Sequence, residues 1–233
     1  MPTLTYQSRR GELLEYFDRT AADAWRRLTS DAPVNRIRAT VRAGRDEMRR
    51  TLLDWLPQDL HGARVLDAGC GTGALAVEAA QRGAHVVAVD LSPTLIDLAR
   101  ERLPHSLGHG RIEFLVGDML DVQLDRFDHI VAMDSLIHYR LRDMVRVLAT
   151  LTRRTDCSLL ATFAPRTPML AVMHAIGRLF PRGNRAPAIE PTSERAIIHH
   201  IGDDTALDEW LVRRTHRVAR GFYISQALEL VRG

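Results

Sequence analysis

The chain contains no lysine, since all 32 of its basic residues are arginine. A Walker-type phosphate-binding loop is therefore excluded, because that loop needs a lysine to reach the phosphates. Cysteine is nearly absent as well: Cys70 and Cys157 are the only two, and their spacing matches no metal site. Both lie in apolar or glycine-rich strand contexts, so they are expected to be reduced, packed thiols of a cytoplasmic protein.

Long hydrophobic runs are also missing. No segment approaches the ~18 consecutive apolar residues that indicate a membrane span. The first fifty residues lack the apolar core of a signal peptide, and their seven acids argue against a transit peptide. The same segment holds eleven arginines, whereas residues 51–233 hold 21 arginines against 22 acids. The basic front end indicates an acidic ligand or an anionic surface, although a solvated arginine face fits the charge alone equally well.

Two amphipathic helices are predicted before the first strand. Apolar residues recur at helical spacing over residues 11–29 and again over 35–56, with a break at "SDAPVN" between them. Short apolar strands then alternate with helices, which indicates an α/β fold with a parallel sheet wound on both faces. In chain order these strands and helices are "ARVLDAG", 74–82, "HVVAVD", 94–103, "IEFLVGD", "FDHIVAMD", 140–152 and "CSLLATF".

The alternation ends after Phe163. A helix-loop insertion over about 165–190 follows, with a short apolar helix and then a Pro/Gly/Arg-rich loop, and after it comes a predicted helix near 192–201. Two strands joined near Arg220 and Gly221 are expected to form an antiparallel hairpin that closes one edge of the sheet. The predicted organisation is a helical cap over 1–57 and an α/β domain over 58–233 that carries the insertion.

The first strand leads into a glycine-rich turn, "VLDAGCGTGALA", with glycines at 69, 71 and 73. Such a turn lets the backbone approach a ligand closely, but many nucleotide-binding folds share it. Asp67 narrows the choice, because a carboxylate at the strand end would repel a pyrophosphate on the helix N-terminus and attract a cation. We therefore expect Gly69, Gly71 and Gly73 to bind a nucleoside that carries a positive charge and no phosphate.

Two further strand ends supply the other parts of a nucleoside site. Asp90 ends the second strand, 21 residues after Gly69, where a carboxylate accepts hydrogen bonds from ribose hydroxyls. Asp118 and the backbone of Met119 follow the third strand, where an adenine edge can pair. A cationic, phosphate-free nucleoside with these partners is S-adenosylmethionine, which is the predicted cofactor.

Taken together, these motifs resemble the class I methyltransferase family, because "DAGCGTG", "VDLS", "GDML" and "AMD" stand in that family's order at its usual spacings. The resemblance implies a Rossmann-like fold, with a mostly parallel seven-stranded sheet and an antiparallel C-terminal hairpin strand. It adds Cys70 and Leu91 to the cofactor-binding residues and places Asp134 near the cofactor's methionine end. The Pro-Pro platform of amine methyltransferases is absent from "MDSLIHY", which disfavours base or glutamine N-methylation.

Three further stretches are similar to the magnesium-protoporphyrin IX O-methyltransferase family of chlorophyll and bacteriochlorophyll synthesis. They are "LLEYFD" with "VNRIRATVRAGR", "LIHYR", and "FAPRTPMLAVMHAIGRLFP", and the resemblance extends over residues 11–230. It implies methyl transfer to one porphyrin propionate, giving the monomethyl ester, with magnesium entering on the substrate and no metal site on the protein. The chain departs from the family at Arg45, where a histidine is usual after the glycine of the second helix.

This resemblance also implies roles for side chains. A propionate has a pKa of ~4–5 and needs no general base, so the expected task is to align it with the sulfonium methyl group and to exclude water. His138 is the predicted catalytic residue: it orients the propionate, takes a proton from it or ligates the substrate's magnesium, with orientation ranked first. Tyr16 is predicted to supply a second catalytic hydrogen bond, and Tyr139 to contact the substrate.

Arginines and partners complete these expectations. Arg42, Arg45, Arg166 or Arg185 is expected to pair with the non-reacting propionate, and Arg42 is also assigned to the cofactor site. The helical cap and the insertion are expected to form a lid whose apolar residues pack on the macrocycle. Besides magnesium-protoporphyrin IX, candidate partners are the large porphyrin-binding subunit of magnesium chelatase and the surface of the photosynthetic membrane.

Three other functions compete with this interpretation. A methyltransferase for another small acid, phenol or quinone precursor would have the same fold and cofactor site. A nucleic-acid-binding protein fits the basic front end, but the arginines lack aromatic interleaving, so no nucleic-acid partner is expected. A cofactor-binding regulator without catalysis is disfavoured by the presence of Asp67, Asp90 and His138.

Overall fold

The structure, a computed structural model, describes residues 3–20, 36–121, 124–166 and 188–233. Its strands are β1 (Arg64–Ala68), β2 (His85–Asp90), β3 (Arg111–Val116), β4 (Phe127–Ala132), β5 (Thr155–Phe163), β6 (Trp210–Arg220) and β7 (Tyr223–Arg232). They form one sheet in the order β3-β2-β1-β4-β5-β7-β6. Strands β1 to β5 are parallel, whereas β7 is antiparallel to both of its neighbours. The predicted Rossmann-like sheet with an antiparallel C-terminal strand is confirmed.

The helices lie on both faces of this sheet. They are α1 (Leu4–Glu15), α2 (Arg36–Trp55), α3 (Ala74–Gln81), α4 (Pro93–Glu101), α5 (Leu141–Thr152) and α6 (Glu194–Gly202), with a π-helical turn at Tyr16–Thr20 and a 3-10 turn at Thr205–Leu207. The first helix begins at Leu4 rather than at residue 11, because the Thr3 hydroxyl accepts a hydrogen bond from the Tyr6 N–H at 3.0 Å and caps it. Its predicted continuation over 21–29 lies outside the described residues. In the parts of the chain that are described, no helix has both the length and the apolarity to cross a bilayer.

Alternate strand residues contribute to two apolar clusters, one on each face of the sheet. Leu66 and Ile130 pack with α1, α5 and α6, whereas Val65 and Val131 pack with α2, α3 and α4. Because both faces are covered, the central strands are nearly continuous apolar runs. The carboxyl ends of β1 to β4 therefore open onto one edge of the sheet, between the two helical layers.

Helix α2 crosses the β6–β7 hairpin at this edge. A Cβ at Gly44 would lie 2.4 Å from the Tyr223 ring, so the helix can approach the hairpin only because residue 44 is glycine. At the hairpin turn, Gly221 has a φ of 55°, and a Cβ there would lie 2.8 Å from the Thr40 hydroxyl. The second helix of the predicted cap is thus packed tightly on the C-terminal strands.

The predicted insertion over about 165–190 is described only at its ends, because residues 167–187 lie outside the described ranges. The Arg166 N–H donates to the Thr192 carbonyl and the Glu190 N–H donates to the Ile137 carbonyl, both at 2.9 Å. The second bond holds the end of the insertion against the segment that follows β4.

The packing prediction for the cysteines is wrong in part. Cys157 is exposed, because it occupies an outward position near the start of β5, before the buried run of that strand. Cys70 is half-buried in the glycine turn.

Candidate active site

The glycine turn joins β1 to α3 and takes a backbone shape that favours glycine. Gly69, Gly71 and Gly73 have φ angles of 82°, 56° and 77°, in the left-handed region that costs other residues about 1–2 kcal/mol. A Cβ at Gly69 would lie 2.4 Å from that of Ser135, and one at Gly73 would lie 2.9 Å from the Phe114 ring. At Gly71, by contrast, nothing lies within 4 Å of an added Cβ, so this residue faces open space.

Asp67 lies behind this turn and is almost completely buried, with 1% of its surface exposed. Burial and the neighbouring Asp90 carboxylate raise the pKa of Asp67 to about 7, although the Ala76 N–H and Arg45 oppose the shift. Its Oδ2 atom has no hydrogen-bond partner among the described residues. A buried, unsatisfied carboxylate oxygen is costly unless a ligand or an ordered water contacts it.

Asp90 ties the glycine turn to the end of β2. Its Oδ2 accepts the Gly71 N–H at 2.8 Å, and its Oδ1 accepts the Ser92 N–H at 2.9 Å. Burial raises the pKa of Asp90, and the two N–H donors oppose that shift. Each carboxylate oxygen keeps a second lone pair, so the side chain can still accept bonds from hydroxyl groups.

Asp118 is engaged by helix α1. Its Oδ1 accepts the Tyr6 hydroxyl at 2.7 Å and the Leu120 N–H at 2.9 Å, and its Oδ2 lies 3.3 Å from Arg10 Nε. Burial is the main cause that raises the pKa of Tyr6, so the hydroxyl stays protonated and donates. Tyr6 therefore fastens α1 to the end of β3, next to the predicted adenine position.

A cavity with about 740 Å³ of empty space, counting its open mouth, lies between the glycine turn and α1. Its wall residues come from the ends of β1 to β4, from α1 with its π-helical turn, and from α2. They are Tyr6, Leu13, Phe17, Arg45, Gly69, Gly71, Val89, Asp90, Leu91, Ser92, Leu95, Gly117, Asp118, Met119, Met133, Asp134, Ser135, His138 and Tyr139.

Ten predicted site residues therefore meet in one place: Arg45, Gly69, Gly71, Asp90, Leu91, Asp118, Met119, Asp134, His138 and Tyr139. Six others are not among the wall residues: Tyr16, Arg42, Asp67, Cys70, Gly73 and Arg166. Of these, Asp67 and Gly73 support the turn from behind, whereas Arg166 is exposed beside the insertion. Arg185 lies outside the described residues.

Arg45 and Asp134 form an ion pair at the cavity wall, with 2.6 Å between Nη1 and Oδ2. The Tyr223 hydroxyl also donates to the Asp134 carboxylate, at 3.0 Å to Oδ1. Asp134 has a φ of 55°, which makes it the one non-glycine residue with positive φ among the described residues. Conformations of this kind cluster at functional sites, where surrounding contacts hold them.

His138 and Tyr139 lie at the side of the cavity nearest α1. His138 is 8% exposed; its Nδ1 is 3.3 Å from the Ala188 carbonyl, and its ring meets Phe17 edge-on at 6.1 Å. Tyr139 stacks on Tyr6 with 4.8 Å between the ring centroids. Tyr16 begins the π-helical turn, where burial raises its pKa, but its neighbour Phe17 reaches the cavity wall.

Sequence reasoning missed several wall residues, notably Tyr6, Phe17 and Ser135. Tyr6 lies upstream of the predicted helix start, whereas Phe17 belongs to the predicted apolar stripe over 11–29 but was not assigned to the site. Ser135 of "AMDS" was not assigned to the site, although its position next to Asp134 could have indicated it. Its buried Oγ atom has no hydrogen-bond partner among the described residues.

The residues present fit S-adenosylmethionine. The Oδ2 of Asp67 and the Oγ of Ser135, which lies beside Gly69, have no hydrogen-bond partner among the described residues, and Gly71 leaves room where a Cβ would otherwise project. The carboxylates suit an ammonium and ribose hydroxyls and would repel phosphate. In the described ranges, no cluster of three metal-binding side chains is found.

Comparison with known proteins gives two family matches. The model described as "Magnesium-protoporphyrin IX methyltransferase C-terminus" matches residues 132–232, and one described as "Methyltransferase domain" matches residues 65–156. Together they span the sheet from β1 to β7.

Full-length relatives agree with these matches. The magnesium-protoporphyrin O-methyltransferase of Rhodobacter capsulatus is 51% identical over 96% of this chain and 97% of its own length. The chloroplastic magnesium protoporphyrin IX methyltransferase of Arabidopsis thaliana is 30% identical over 93% of this chain and 69% of its own. The crystal structure of the Synechocystis PCC 6803 magnesium protoporphyrin IX methyltransferase with bound SAH superposes with a TM-score of 0.83, at 31% identity, over 96% of this chain and 100% of that one. The chain therefore belongs to the magnesium-protoporphyrin O-methyltransferase family.

Proposed function

We propose that this chain transfers the methyl group of S-adenosylmethionine to a propionate carboxylate of magnesium-protoporphyrin IX, giving the monomethyl ester in (bacterio)chlorophyll synthesis. Family membership supports the substrate. The observation that carries the cofactor is the cavity itself: a glycine turn backed by the buried Asp67, whose Oδ2 has no partner among the described residues. That site suits a cationic nucleoside and repels a phosphorylated one.

The cofactor-binding residues are assigned within this proposal by their positions on the wall. Gly69 and Gly71 cradle the nucleoside, and Asp90 accepts its ribose hydroxyls. Asp118 and the Met119 backbone face the adenine, with Leu91 beside it. Cys70, Gly73 and Arg42, which are not wall residues, act by supporting the turn and α2 rather than by direct contact.

Arg45 is better placed for the cofactor than for the second propionate. It lies on the wall, is fixed by Asp134 at 2.6 Å, and is close enough to Asp67 to oppose the rise of its pKa. A guanidinium beside a buried carboxylate matches a zwitterionic amino-acid group. Arg45 then binds the carboxylate of the methionine moiety, and Arg166 or Arg185 pairs with the non-reacting propionate of the porphyrin.

The chemistry requires little acid–base work from the protein. When bound, S-adenosylmethionine supplies an electrophilic methyl group on a sulfonium. The propionate is already ionised near neutral pH, so the protein's part is alignment and the exclusion of water. Leu13, Phe17 and Met133 line the cavity with apolar surface, which weakens the hydration of the incoming carboxylate.

His138 is the residue we assign to substrate orientation. It is buried at the α1 side of the cavity, and the 3.3 Å contact of its Nδ1 with the Ala188 carbonyl fixes one face of the ring. With Nδ1–H donated to a carbonyl, Nε2 can donate a hydrogen bond to a propionate oxygen only in the doubly protonated ring. Tyr16 is assigned a supporting hydrogen bond and Tyr139 a substrate contact through its stacked ring pair with Tyr6.

The cap over 1–57 and the insertion over about 165–190 form the lid in this proposal. Support comes from α1, which covers the cavity through Leu13 and Phe17, and from the Glu190–Ile137 bond at the end of the insertion. Deleting 166–185 is expected to abolish porphyrin binding and to leave cofactor binding intact. Porphyrin affinity that survives the deletion would contradict the lid.

Partners beyond the substrate are also part of the proposal. A photosynthetic-membrane contact is supported by α2, whose residues 36–45 hold four arginines and no acid. Ile37 and Phe222 beside them are 50% and 46% exposed, and basic residues next to exposed apolar ones suit an anionic membrane. More protein should therefore sediment with anionic vesicles than with neutral ones.

The second proposed partner is the large porphyrin-binding subunit of magnesium chelatase. If this subunit transfers the porphyrin, chelatase-bound porphyrin should be methylated faster than free porphyrin.

The main experiment incubates the purified chain with S-adenosylmethionine and magnesium-protoporphyrin IX. Mass spectrometry should show a gain of one methylene on the porphyrin, and titration of porphyrin into the protein should shift its absorption spectrum. Parallel incubations offer metal-free protoporphyrin, and then phenol and quinone precursors. Turnover of a phenol in the absence of porphyrin turnover would replace this proposal with the alternative O-methyltransferase.

A further inference from the structure

We propose that Tyr223, a residue of the C-terminal hairpin that is not on the cavity wall, is a positioning residue for methyl transfer. It acts through Asp134 on the segment 133–139, which carries Ser135, His138 and Tyr139. The predicted effect on kcat rests on the methyl transfer proposed above. The structural coupling between the hairpin and this segment does not.

Asp134 is the element through which Tyr223 acts. Its φ of 55° is unfavourable for any residue but glycine, with asparagine and aspartate the least penalised. Its N–H donates to the Thr162 hydroxyl at 2.7 Å, and its carboxylate accepts Arg45 at 2.6 Å. Tyr223 and Ser225 add donors to Oδ1 at 3.0 and 3.3 Å. An unfavourable backbone conformation is thus held by contacts from α2, β5 and β7.

Tyr223 is well suited to hold a fixed position. It is 8% exposed, and its ring lies where a Cβ at Gly44 would be only 2.4 Å away, so α2 holds it from one side. Burial and the nearby Asp134 raise the pKa of Tyr223 well above its usual value. The hydroxyl therefore remains a donor over the whole working pH range.

The turn at Asp134 affects the site because its neighbours along the chain line the cavity. Five residues of 133–139 line the cavity: Met133, Asp134, Ser135, His138 and Tyr139. The turn that Asp134 makes at the end of β4 sets the direction in which all of them leave the sheet. A small change in that turn displaces the predicted orienting histidine, and misplacement by about 1 Å can cost about 10²-fold in rate.

The test uses Tyr223→Phe, which removes one hydroxyl and keeps the ring that packs on Gly44. We expect kcat to fall about tenfold, with the Kd for S-adenosylhomocysteine within about threefold of the parent and a melting point that remains well above the assay temperature. Asp134→Asn, which tolerates positive φ, should keep more activity than Asp134→Ala. Cys157→Ser, exposed on β5, is the control and should match the parent.

A double variant separates positioning from a general loss of packing. If Tyr223 acts through Asp134, adding Tyr223→Phe to Asp134→Ala, which removes the oxygens that accept the Tyr223 hydroxyl, should lower kcat no further than Asp134→Ala alone. Multiplied effects, or a kcat for Tyr223→Phe within twofold of the parent, would overturn the proposal. If Tyr223→Phe does not fold, Ser225→Ala takes its place in the cycle and must show the same non-additivity.

Amide hydrogen exchange keeps this test independent of the substrate. In the complex with S-adenosylhomocysteine, Tyr223→Phe should raise exchange in 133–139 and leave α3 and α4 unchanged. If the parent is inactive on porphyrin while Tyr223→Phe shows this exchange pattern, the proposed substrate is refuted and the structural coupling is retained. Porphyrin turnover with unchanged exchange and unchanged kcat in the variant would do the reverse.

Discussion

The two sides of the cavity are built in different ways. One side, here called the strand side, consists of the ends of β1, β2 and β3 with their turns, and sheet register fixes it: Asp67 pairs with Ala88 and Asp90 with Val116. The other, here called the helix side, consists of α1 and the π-helical turn. It is fastened by side-chain hydrogen bonds to carboxylates.

Such hydrogen bonds attach the helix side at several points. Tyr6 donates to Asp118 at 2.7 Å. Thr3 and Thr5 both donate to Asp143, at 2.6 and 2.7 Å, and Asp18 accepts the Thr94 hydroxyl at 2.7 Å. A hydrogen bond to a charged group contributes about 1.5–3 kcal/mol, so each attachment can open at modest cost. The comparison indicates that the strand side is rigid and binds the cofactor, whereas the helix side covers the cofactor and can open.

Breaking the strand side should have the largest effect. Gly69→Ala places a methyl group at a φ of 82° and 2.4 Å from the Ser135 Cβ. Backbone strain and overpacking together cost about 2–5 kcal/mol, so we expect a loss of at least about 30-fold in affinity for S-adenosylhomocysteine by calorimetry. Gly62→Ala is the matched control, because its φ is 76° but nothing lies within 4 Å of the added Cβ. Equal losses of affinity in both variants would refute a role for the close contact.

His138→Ala is expected to separate chemistry from cofactor binding. The variant should lose about 100-fold in kcat and keep its affinity for S-adenosylhomocysteine within about threefold, because the cofactor is held by the strand side. Initial rates of porphyrin methylation and calorimetry measure the two quantities. His199→Ala, on the exposed face of α6, should behave like the parent. Unchanged turnover of the His138 variant would remove this side chain from the mechanism.

The strand side was predictable from sequence and the helix side was not. Carboxylates that follow apolar strands must meet at one sheet edge, so Asp67, Asp90 and Asp118 could be placed without coordinates. The partners of Asp134 could not, because Arg45 and Tyr223 are each 89 residues away along the chain. No periodicity connects such positions, and only the packing of α2 on the hairpin brings them together.

On the helix side, the local pattern predicted the apolar face of the helix but not the residue at which the helix begins. Residues 11–29 showed a helical stripe, but the helix starts at Leu4 and changes to a π-helical turn at Tyr16. Leu13 and Phe17 of that stripe both lie on the cavity wall, whereas Tyr16, which lies beside the stripe, does not.

The raised pKa of Asp67 predicts a pH dependence that belongs to the strand side alone. The folded chain holds the Asp67 proton up to about pH 7, whereas the unfolded chain releases it near pH 4. This group's contribution to stability is therefore present at low pH and is lost as pH rises from about 4 to about 7. A cationic ligand favours the ionised form, so affinity for S-adenosylmethionine should rise about tenfold between pH 5.5 and 7.0. Calorimetry across this range measures it, and Asp67→Asn should flatten the profile; a slope that survives the substitution would assign it to another group.

Tyr6→Phe tests the helix side and should have the smallest effect on binding. The ring stays stacked on Tyr139, but Asp118 loses a 2.7 Å hydrogen bond, so α1 should open more often. A cost of about 1–2 kcal/mol corresponds to roughly 5- to 30-fold faster amide exchange in α1, with affinity for S-adenosylhomocysteine weakened only a few-fold. Thr5→Val, which removes a bond from the adjacent residue of the same helix to Asp143, is the matched variant and should loosen α1 without changing cofactor affinity. If Tyr6→Phe left exchange in α1 unchanged, apolar contacts would have to hold the helix side in place. The distinction between a rigid strand side and a helix side that can open would then no longer stand.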